Sequence, residues 1–221
     1  MKITEIDKAK HIVIVLEDEA SIDYLSSSNA LYTYLLQQHK KVSLYCAKSN
    51  YGVNLSFLPW IDKLKSSYPS SSDYEIDAMS SLELYKYFIQ NKISLNPKMS
   101  TSLYAGLLDA TRGFSRGIDG TIFAMAEVLL EAKADFKVCN ENLLKYQTLA
   151  SLRLKAILLA KMQLKENAQK AIFELSDEDL KQSGASLLDS SNVLSDALGL
   201  PTVTSAVIRY KNKEIMKEDI K

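Results

Sequence analysis

Four acidic side chains follow an apolar segment near the start of the chain and have the chemistry of metal ligands. Residues 12–16 (IVIVL) are mostly β-branched, as in buried strands of parallel sheets, and Glu17, Asp18, Glu19 and Asp23 come next. Loops beyond the carboxyl ends of such strands commonly hold ligands. Carboxylate oxygens suit hard divalent cations. The order of residue types therefore predicts an acidic ligand site at this end of the strand.

Composition predicts a soluble, globular, cytoplasmic protein. The chain has 221 residues, of which 47% are hydrophobic and 24% charged, so it can bury a core and is long enough for two small domains. Its 27 basic and 27 acidic residues cancel, which argues against a long polyanion as the default ligand. No apolar run reaches the ~18 residues that span a bilayer, and the first residues lack a signal-peptide core, so no membrane partner is expected.

The two cysteines are expected to be free and buried. Cys46 and Cys139 are far apart in the sequence and form no CxxC spacing. Isolated cysteines in a cytoplasmic protein are more often packed thiols than disulfide or metal ligands.

The first half of the chain predicts a βαβ unit followed by helices. Leucines at helical spacing in residues 27–40 lead into an alternating strand at 41–46, whereas prolines, a glycine and a serine run make 51–77 mostly loop and short turns. Helices are then predicted over residues 80–91, with Ser80 or Ser81 as the cap, 98–109, after Pro97, and 121–132.

The second half predicts a smaller α/β domain. A long helix over residues 140–164 precedes a strand at 170–175, and Ser176 with Asp179 fits an acidic capping box whose helix stops at Gly184. A helix at 190–198 and a strand at 202–210 follow, with a lysine-rich tail. We therefore expect an α/β protein with a parallel-sheet domain over residues 1–139, a connecting helix over 140–164 and a second domain over 165–221.

Residues 99–114 (MSTSLYAGLLDATRGF) and the following GIDGTIFAMAEVLLEAKAD resemble the DHH phosphoesterases, in particular the branch of oligoribonucleases and phosphoadenosine-phosphate phosphatases. The opening strand, loop and helix carry the same resemblance. So do KAIFELSDEDLKQSG and DSSNVLSDALGLPTVTSAVIRY in the second domain. The resemblance extends over nearly the whole chain.

The resemblance implies a site for divalent cations. In the family, a His-x3-Asp-x-Asp loop, an aspartate of a second strand, an Asp-His-His triplet and an aspartate of a later helix hold two ions, usually manganese. Aligned on Ala30 and Leu31, Glu17 takes the histidine position, Ser21 the first aspartate and Asp23 the second. Asp109 matches the aspartate of the later helix. The resemblance thus names Glu17, Asp23 and Asp109 as metal ligands, for Mn²⁺ or Mg²⁺ if any ion binds.

The chain departs from the family in its middle and at its end. No Asp-His-His motif occurs, and the only histidines, His11 and His39, match no ligand position. The family's second domain continues to an arginine-bearing strand and a loop rich in glycine and histidine, so the second domain here is expected to be truncated. Arg209 is a weak candidate for substrate binding, and a solvated strand end is the alternative interpretation.

Each surviving acid also has a structural interpretation, and both interpretations stay open at this stage. Asp109 can cap the turn before Gly113, Asp23 can favour the dipole of the helix it begins, and residues 17–19 can form a solvated loop. Tyrosines recur on the predicted helices at core-like spacing, which favours packing over a base-stacking platform. They are Tyr32, Tyr34, Tyr85, Tyr87 and Tyr104.

Two functions are consistent with the residues. The first is a divergent DHH-type homologue with impaired catalysis, which acts as a binding or assembly protein and retains a nucleotide or phosphate cleft. The alternative is an active metal-dependent phosphoesterase that uses a reduced site of Glu17, Asp23 and Asp109 on short oligoribonucleotides or phosphoadenosine phosphate. Family analogy also implies a homodimer formed through the first domain. The sequence names no protein partner.

Overall fold

The computed structural model describes residues 3–49 and 51–218 of the chain. The chain divides into two compact units, Met1–Tyr146 and Gln147–Lys221, and each contains its own four-stranded sheet. The expected α/β class with a parallel sheet in the first unit is confirmed.

The sheet of the first unit is parallel throughout. Its strands are β1 His11–Val15, β2 Lys41–Tyr45, β3 Leu64–Lys65 and β4 Tyr74–Asp77, in the order β3-β2-β1-β4. Ile12, Val13 and Ile14 of β1 are fully buried because β1 is an interior strand. The parallel pair β1 and β2, joined by a helix, confirms the predicted βαβ unit.

Helices make up most of the first unit. They are α1 Ile3–Lys8, α2 Ile22–Gln37, α3 Ser81–Gln90, α4 Pro97–Ala110, α5 Gly120–Glu131 and α6 Phe136–Asn140. Ser80, one of the two predicted caps, is the N-cap of α3 and also forms a capping box with Glu83. Pro97 occupies the first turn of α4, as predicted. Helices α2 and α4 pack together more extensively than any other pair of described elements. This pairing carries the candidate site.

The second unit combines one parallel pair of strands with two antiparallel edges. Its elements are α7 Leu149–Ala160, β5 Gln163–Lys165, β6 Lys170–Leu175, α8 Asp177–Ser183, α9 Ser191–Ala197, β7 Ser205–Tyr210 and β8 Lys213–Glu218, with sheet order β5-β6-β7-β8. Ser176 and Asp179 form the predicted capping box on α8. Gly184 ends that helix in the left-handed conformation, as predicted.

The prediction of one connecting helix over residues 140–164 is wrong. A π-helical turn, Glu141–Lys145, extends α6, Tyr146 is extended, and α7 starts only at Leu149. The side chain of Thr148 accepts a hydrogen bond from the backbone N–H of Ser151, so it is a helix-start signal inside the apolar pattern. Residues 163–165 pair with β6 as a strand.

Two further segments differ from the sequence expectation. Residues 51–77 are mostly irregular, as expected, but their last part forms β4 beside β1. The lysine-rich tail contributes β8, which pairs with β7. Both are edge strands, where charged residues are common and mask the apolar alternation that marks a strand.

Both cysteines are free and buried, as predicted. Among the described helices, none has the length and apolar character needed to cross a membrane.

Candidate functional site

Asp23 and Asp109, 86 positions apart in the sequence, meet in the first unit. Asp109 lies near the end of α4, and its Oδ2 accepts a hydrogen bond of 3.1 Å from the backbone N–H of Asp23. That N–H belongs to the first turn of α2, where backbone donors have no partner within the helix. Ser21 is the N-cap of α2, but its side chain makes no capping bond. Asp109 therefore caps α2 from a neighbouring helix.

The carboxylate of Asp23 caps a third helix in turn. Its Oδ1 accepts a hydrogen bond of 2.9 Å from the backbone N–H of Ser81, the first residue of α3. The hydroxyl of Ser81 donates to the backbone oxygen of Asp23 at 3.4 Å. Asp109, Asp23 and Ser81 thus form a chain of hydrogen bonds. It links the end of α4 to the start of α2, and the start of α2 to the start of α3.

Gly106 makes this close approach of helices sterically feasible. A Cβ at this position would lie 1.8 Å from the hydroxyl oxygen of Ser81 and 2.7 Å from Oδ1 of Asp23. It would also lie 2.9 Å from Ser81 Cβ, an atom that rotation of the hydroxyl leaves in place. Glycine is therefore required at this place in α4, despite its low helix propensity. A glycine inside the apolar run LYAGLLD was the signal for this contact in the sequence.

Burial dominates the electrostatics of both acids. It raises the pKa of Asp23, against the lowering effect of the hydrogen bonds from Ser81. Burial also raises the pKa of Asp109, and the nearby charge of Asp23 adds to the increase. The hydrogen bond from the Asp23 N–H and the charge of Arg112 lower the pKa of Asp109, but they do not offset burial. The pair is thus a costly place for two negative charges.

Glu17 lies on a small cavity at the carboxyl edge of the sheet. This cavity has a volume of about 170 Å³. Its lining residues are Val15, Leu16, Glu17, Tyr24, Asp77 and Ala78. Asp77 ends β4 in register with Val15, so the sheet adds a carboxylate that the sequence analysis missed. The alternation in YEID (residues 74–77) was the available signal, hidden in a segment interpreted as loop.

Two hydrogen bonds with Lys48 hold the loop after β1 in place. Oδ1 of Asp18 accepts from the backbone N–H of Lys48 at 3.1 Å, and the N–H of Glu19 donates to the backbone oxygen of Lys48 at 2.8 Å. Glu19 has a positive φ of 57°. These contacts fix the loop against the end of β2 and leave the side chain of Glu17 exposed.

The described residues do not fit the two-metal centre that the family resemblance implies. Over residues 3–49 and 51–218, no group of three or more His, Cys, Asp and Glu side chains is arranged to hold a metal ion. His11 is buried with its Nε2 2.9 Å from the hydroxyl of Ser43, and His39 is exposed at the end of α2. A ligand site of Glu17, Asp23 and Asp109 stays a prediction, of which the structure brings two members together.

Arg209, the residue suggested for substrate binding, is paired with carboxylates inside its own sheet. Its Nε lies 2.8 Å from Oε1 of Glu214 on β8, and its guanidinium lies 3.5 Å from Glu174 on β6. The pairing with Glu214, followed by the charge of Glu174, raises the pKa of Arg209. These contacts support the interpretation as a solvated strand end, and the substrate role stays a prediction.

A comparison with solved structures connects this geometry to a known fold. The crystal structure of an exopolyphosphatase-related protein from Bacteroides fragilis matches with a TM-score of 0.82, covers 97% of this chain and 80% of its own, and is 16% identical. The chain therefore shares a fold with that protein. No family model matches the sequence, and no curated protein is detectably similar to it. At this identity the likeness shows the fold alone, and it confirms the two-domain α/β architecture.

Proposed function

We propose that this chain is a divergent DHH-type phosphoesterase homologue that has lost two-metal catalysis and acts as a binding or assembly protein. One observation carries the proposal: the two acids at family ligand positions each accept a hydrogen bond from a backbone N–H at a helix start. Capping accounts for an acceptor at both positions without a metal ion.

The ligand chemistry supports the same conclusion. Two-metal hydrolysis needs several ligands that converge on both ions, so that one ion generates hydroxide and both stabilise the transition state. Here the position of the family histidine holds Glu17, and the first aspartate is replaced by Ser21. A serine hydroxyl is a poor replacement for an anionic ligand. The described histidines lie apart from the acid pair in strand β1 and at the end of α2.

A hydrolysis assay tests the proposal directly. Purified protein with Mn²⁺ or Mg²⁺ is incubated with short oligoribonucleotides, phosphoadenosine phosphate and polyphosphate, and released phosphate or mononucleotide is measured. We expect no release above that of the metal ion alone, and no difference between the wild type and Asp109→Asn. Release by the wild type that Asp109→Asn abolishes would overturn the proposal.

The alternative function is a phosphoesterase with a reduced site, and one observation favours it. Both positions hold an aspartate, and the two lie next to each other, although burial raises the pKa of each. An amide side chain could accept the same hydrogen bonds without a charge. In this alternative Asp23, Asp109 and Glu17 would offer oxygens to one Mg²⁺ or Mn²⁺, which would activate water. Thermal unfolding separates the two functions: a melting temperature that rises with millimolar Mn²⁺ in the wild type, but not in Asp109→Asn, would favour the enzyme.

The ligand and the assembly state are further parts of the proposal. A nucleotide or short oligonucleotide is the ligand class that the family resemblance suggests, and calorimetric titration with a dinucleotide measures its binding. A homodimer is proposed on the same basis. A mass equal to one chain in light scattering would remove the dimer from the proposal.

A further inference from the structure

A second cavity of the first unit lies at the opposite margin of the sheet from β4. It has a volume of about 400 Å³, within the range of about 300 to 1,000 Å³ that small-molecule sites occupy. Helix α2, strand β2 and the segment that contains β3 form its walls. The lining residues are Tyr32, Val42, Ser43, Leu44, Lys63, Lys65, Ser67, Tyr68 and Pro69.

The cavity exists because β3 is much shorter than β2. Only Leu44 and Tyr45 of β2 have partners in β3, so the pairing stops before Val42 is reached. The N–H of Lys41 donates toward β1 and that of Cys46 toward β3. Backbone groups alternate between the two sides of a strand, so the N–H and C=O of Val42 point to the β3 side, beyond the end of the ladder. The cavity floor thus includes an open sheet edge with a backbone donor.

One wall of the cavity is an aromatic ring held in a fixed position. The ring of Tyr32 packs against Trp60 with centroids 5.2 Å apart. The backbone N–H of Trp60 donates to Asn29 at 2.8 Å, and its indole N–H donates to Thr33 at 2.9 Å. Lys98 lies over the indole at 5.1 Å from its centroid. Two hydrogen bonds and one cation–π contact therefore fix the Trp60 ring that packs against Tyr32. This wall of the cavity is thus pre-organised rather than formed on binding.

The other side of the cavity carries two ammonium groups and the hydroxyl of Ser67, whereas the Tyr68 hydroxyl donates to Glu75. Lys63 and Lys65 flank the opening together with Ser67. Lys63 lies 2.8 Å from Asp62, an exposed pair whose carboxylate a bound anion can replace at small cost. Burial raises the pKa of Tyr32, while the charge of Lys63 lowers it and the charge of Asp62 raises it. The ring of Tyr68 stands edge-on to Tyr45 at 5.1 Å and is itself partly exposed.

We propose that this cavity binds a small phosphomonoester attached to a planar ring, such as a nucleoside monophosphate. The ammonium groups of Lys63 and Lys65 and the hydroxyl of Ser67 hold the phosphate, because lysine binds phosphate as a point charge. The phenol rings of Tyr32 and Tyr68 contact the planar group, since aromatic faces accept any flat ring. This site lies outside the pair Asp23 and Asp109, and its ligand belongs to the nucleotide class that the proposed function also names.

Calorimetric titration of the whole chain with AMP tests the proposal, with adenosine and inorganic phosphate as partial ligands. We expect one AMP per chain, and at least tenfold weaker binding of adenosine or phosphate alone. The double variant Lys63→Gln/Lys65→Gln should weaken AMP binding at least tenfold. A matched control, Lys137→Gln/Lys145→Gln, removes two exposed lysines of the same unit and should leave AMP affinity unchanged. Far-UV circular dichroism confirms that both double variants are folded.

Two further variants separate this site from the acid pair. Tyr68→Ser removes an exposed ring and should weaken AMP binding about threefold to tenfold while leaving the affinity for inorganic phosphate unchanged. Asp109→Asn changes the acid pair and shows whether AMP binds there instead. The absence of AMP binding at millimolar concentration overturns the proposal. AMP affinity that survives the loss of Lys63 and Lys65 but falls in Asp109→Asn also overturns it, because the nucleotide then binds elsewhere.

Discussion

Two buried capping sites, one in each unit, use aspartate in opposite electrostatic settings. In the second unit, Ser176 is the N-cap of α8, and the carboxylate of Asp179 accepts in return from the backbone N–H of Ser176 at 3.1 Å. The same carboxylate pairs with Nζ of Lys161 at 2.5 Å. In the first unit, Asp109 caps α2 beside a second buried acid, Asp23. Both carboxylates accept a hydrogen bond from a backbone N–H at a helix start, but only Asp179 has an ammonium partner in contact.

The difference appears in the pKa values. Burial by itself would raise the pKa of Asp179, but the hydrogen bonds from Lys161 and Ser176 outweigh it and hold the pKa below its usual value. Burial of Asp23 and Asp109 is not outweighed, and the pKa of each is raised. An acid at a capping position can therefore have either of two effects on stability. Where a cation stabilises its charge, the ionised form adds stability; where burial is not offset, the ionised form reduces stability. The second case marks the acid pair as a position where an amide could perform the structural role at lower cost.

The largest effect on the acid pair is expected from Gly106→Ala. The new methyl group would overlap Ser81 and Asp23, so α4 must move away from the starts of both other helices. We expect a loss of about 3 kcal/mol in the free energy of unfolding, at the upper end for an overpacked contact. Urea denaturation measures it. Gly120→Ala is the control, because a Cβ at Gly120 meets nothing within 4 Å, and an equal loss in the control would contradict the steric argument.

The next largest effect is expected from Asp179→Ala in the second unit. The change removes the capping box on α8 and leaves Lys161 without its partner, so we expect a loss of about 2 kcal/mol. Lys161→Met removes only the ion pair and should cost less, because the Lys161 side chain is half exposed. Equal losses in the two variants would mean that the cap itself contributes little.

A smaller effect, and one that depends on the replacement, is expected at Asp109. Alanine removes the acceptor for the N–H of Asp23 and should cost about 1 kcal/mol, as for other helix caps. Asparagine keeps an acceptor oxygen and removes a buried negative charge, so Asp109→Asn should equal or exceed the wild type in stability at pH 7. A clear destabilisation by asparagine in metal-free protein would show that the charge itself stabilises the fold.

The pH dependence of stability should have opposite signs at the two sites. Because the folded pKa of Asp179 lies below the reference value of 3.8, its stabilisation is present above that value and is lost as the pH falls through the folded pKa. Because the folded pKa of Asp109 lies above 3.8, its penalty is complete above the folded pKa and is relieved as the pH falls toward 3.8. Urea denaturation of each asparagine variant beside the wild type, from pH 7 to pH 3.5, measures both trends. Parallel curves for the two variants would remove the contrast.

Much of the fold could be predicted from local patterns. The strand at residues 170–175 was predicted with the correct bounds, and the capping boxes on α3 and α8 follow from residues only three positions apart. Such signals are local, so a sequence displays them directly. The errors arose where tertiary pairing decided the outcome. Strand β4 exists because β1 offers it an edge, and residues 163–165 are a strand because they pair with β6.

By itself, the sequence determined that Asp23 begins a helix after a buried strand and that Asp109 lies near the end of another helix. It could not determine which backbone groups these acids accept from, because those partners lie 58 and 86 positions away. Only the packing of α4 against the starts of α2 and α3, made feasible by Gly106, brings the two carboxylates to the backbone N–H groups of those helix starts. The cavity of Lys63 and Lys65 likewise depends on tertiary structure, since it opens where β3 ends before β2 does.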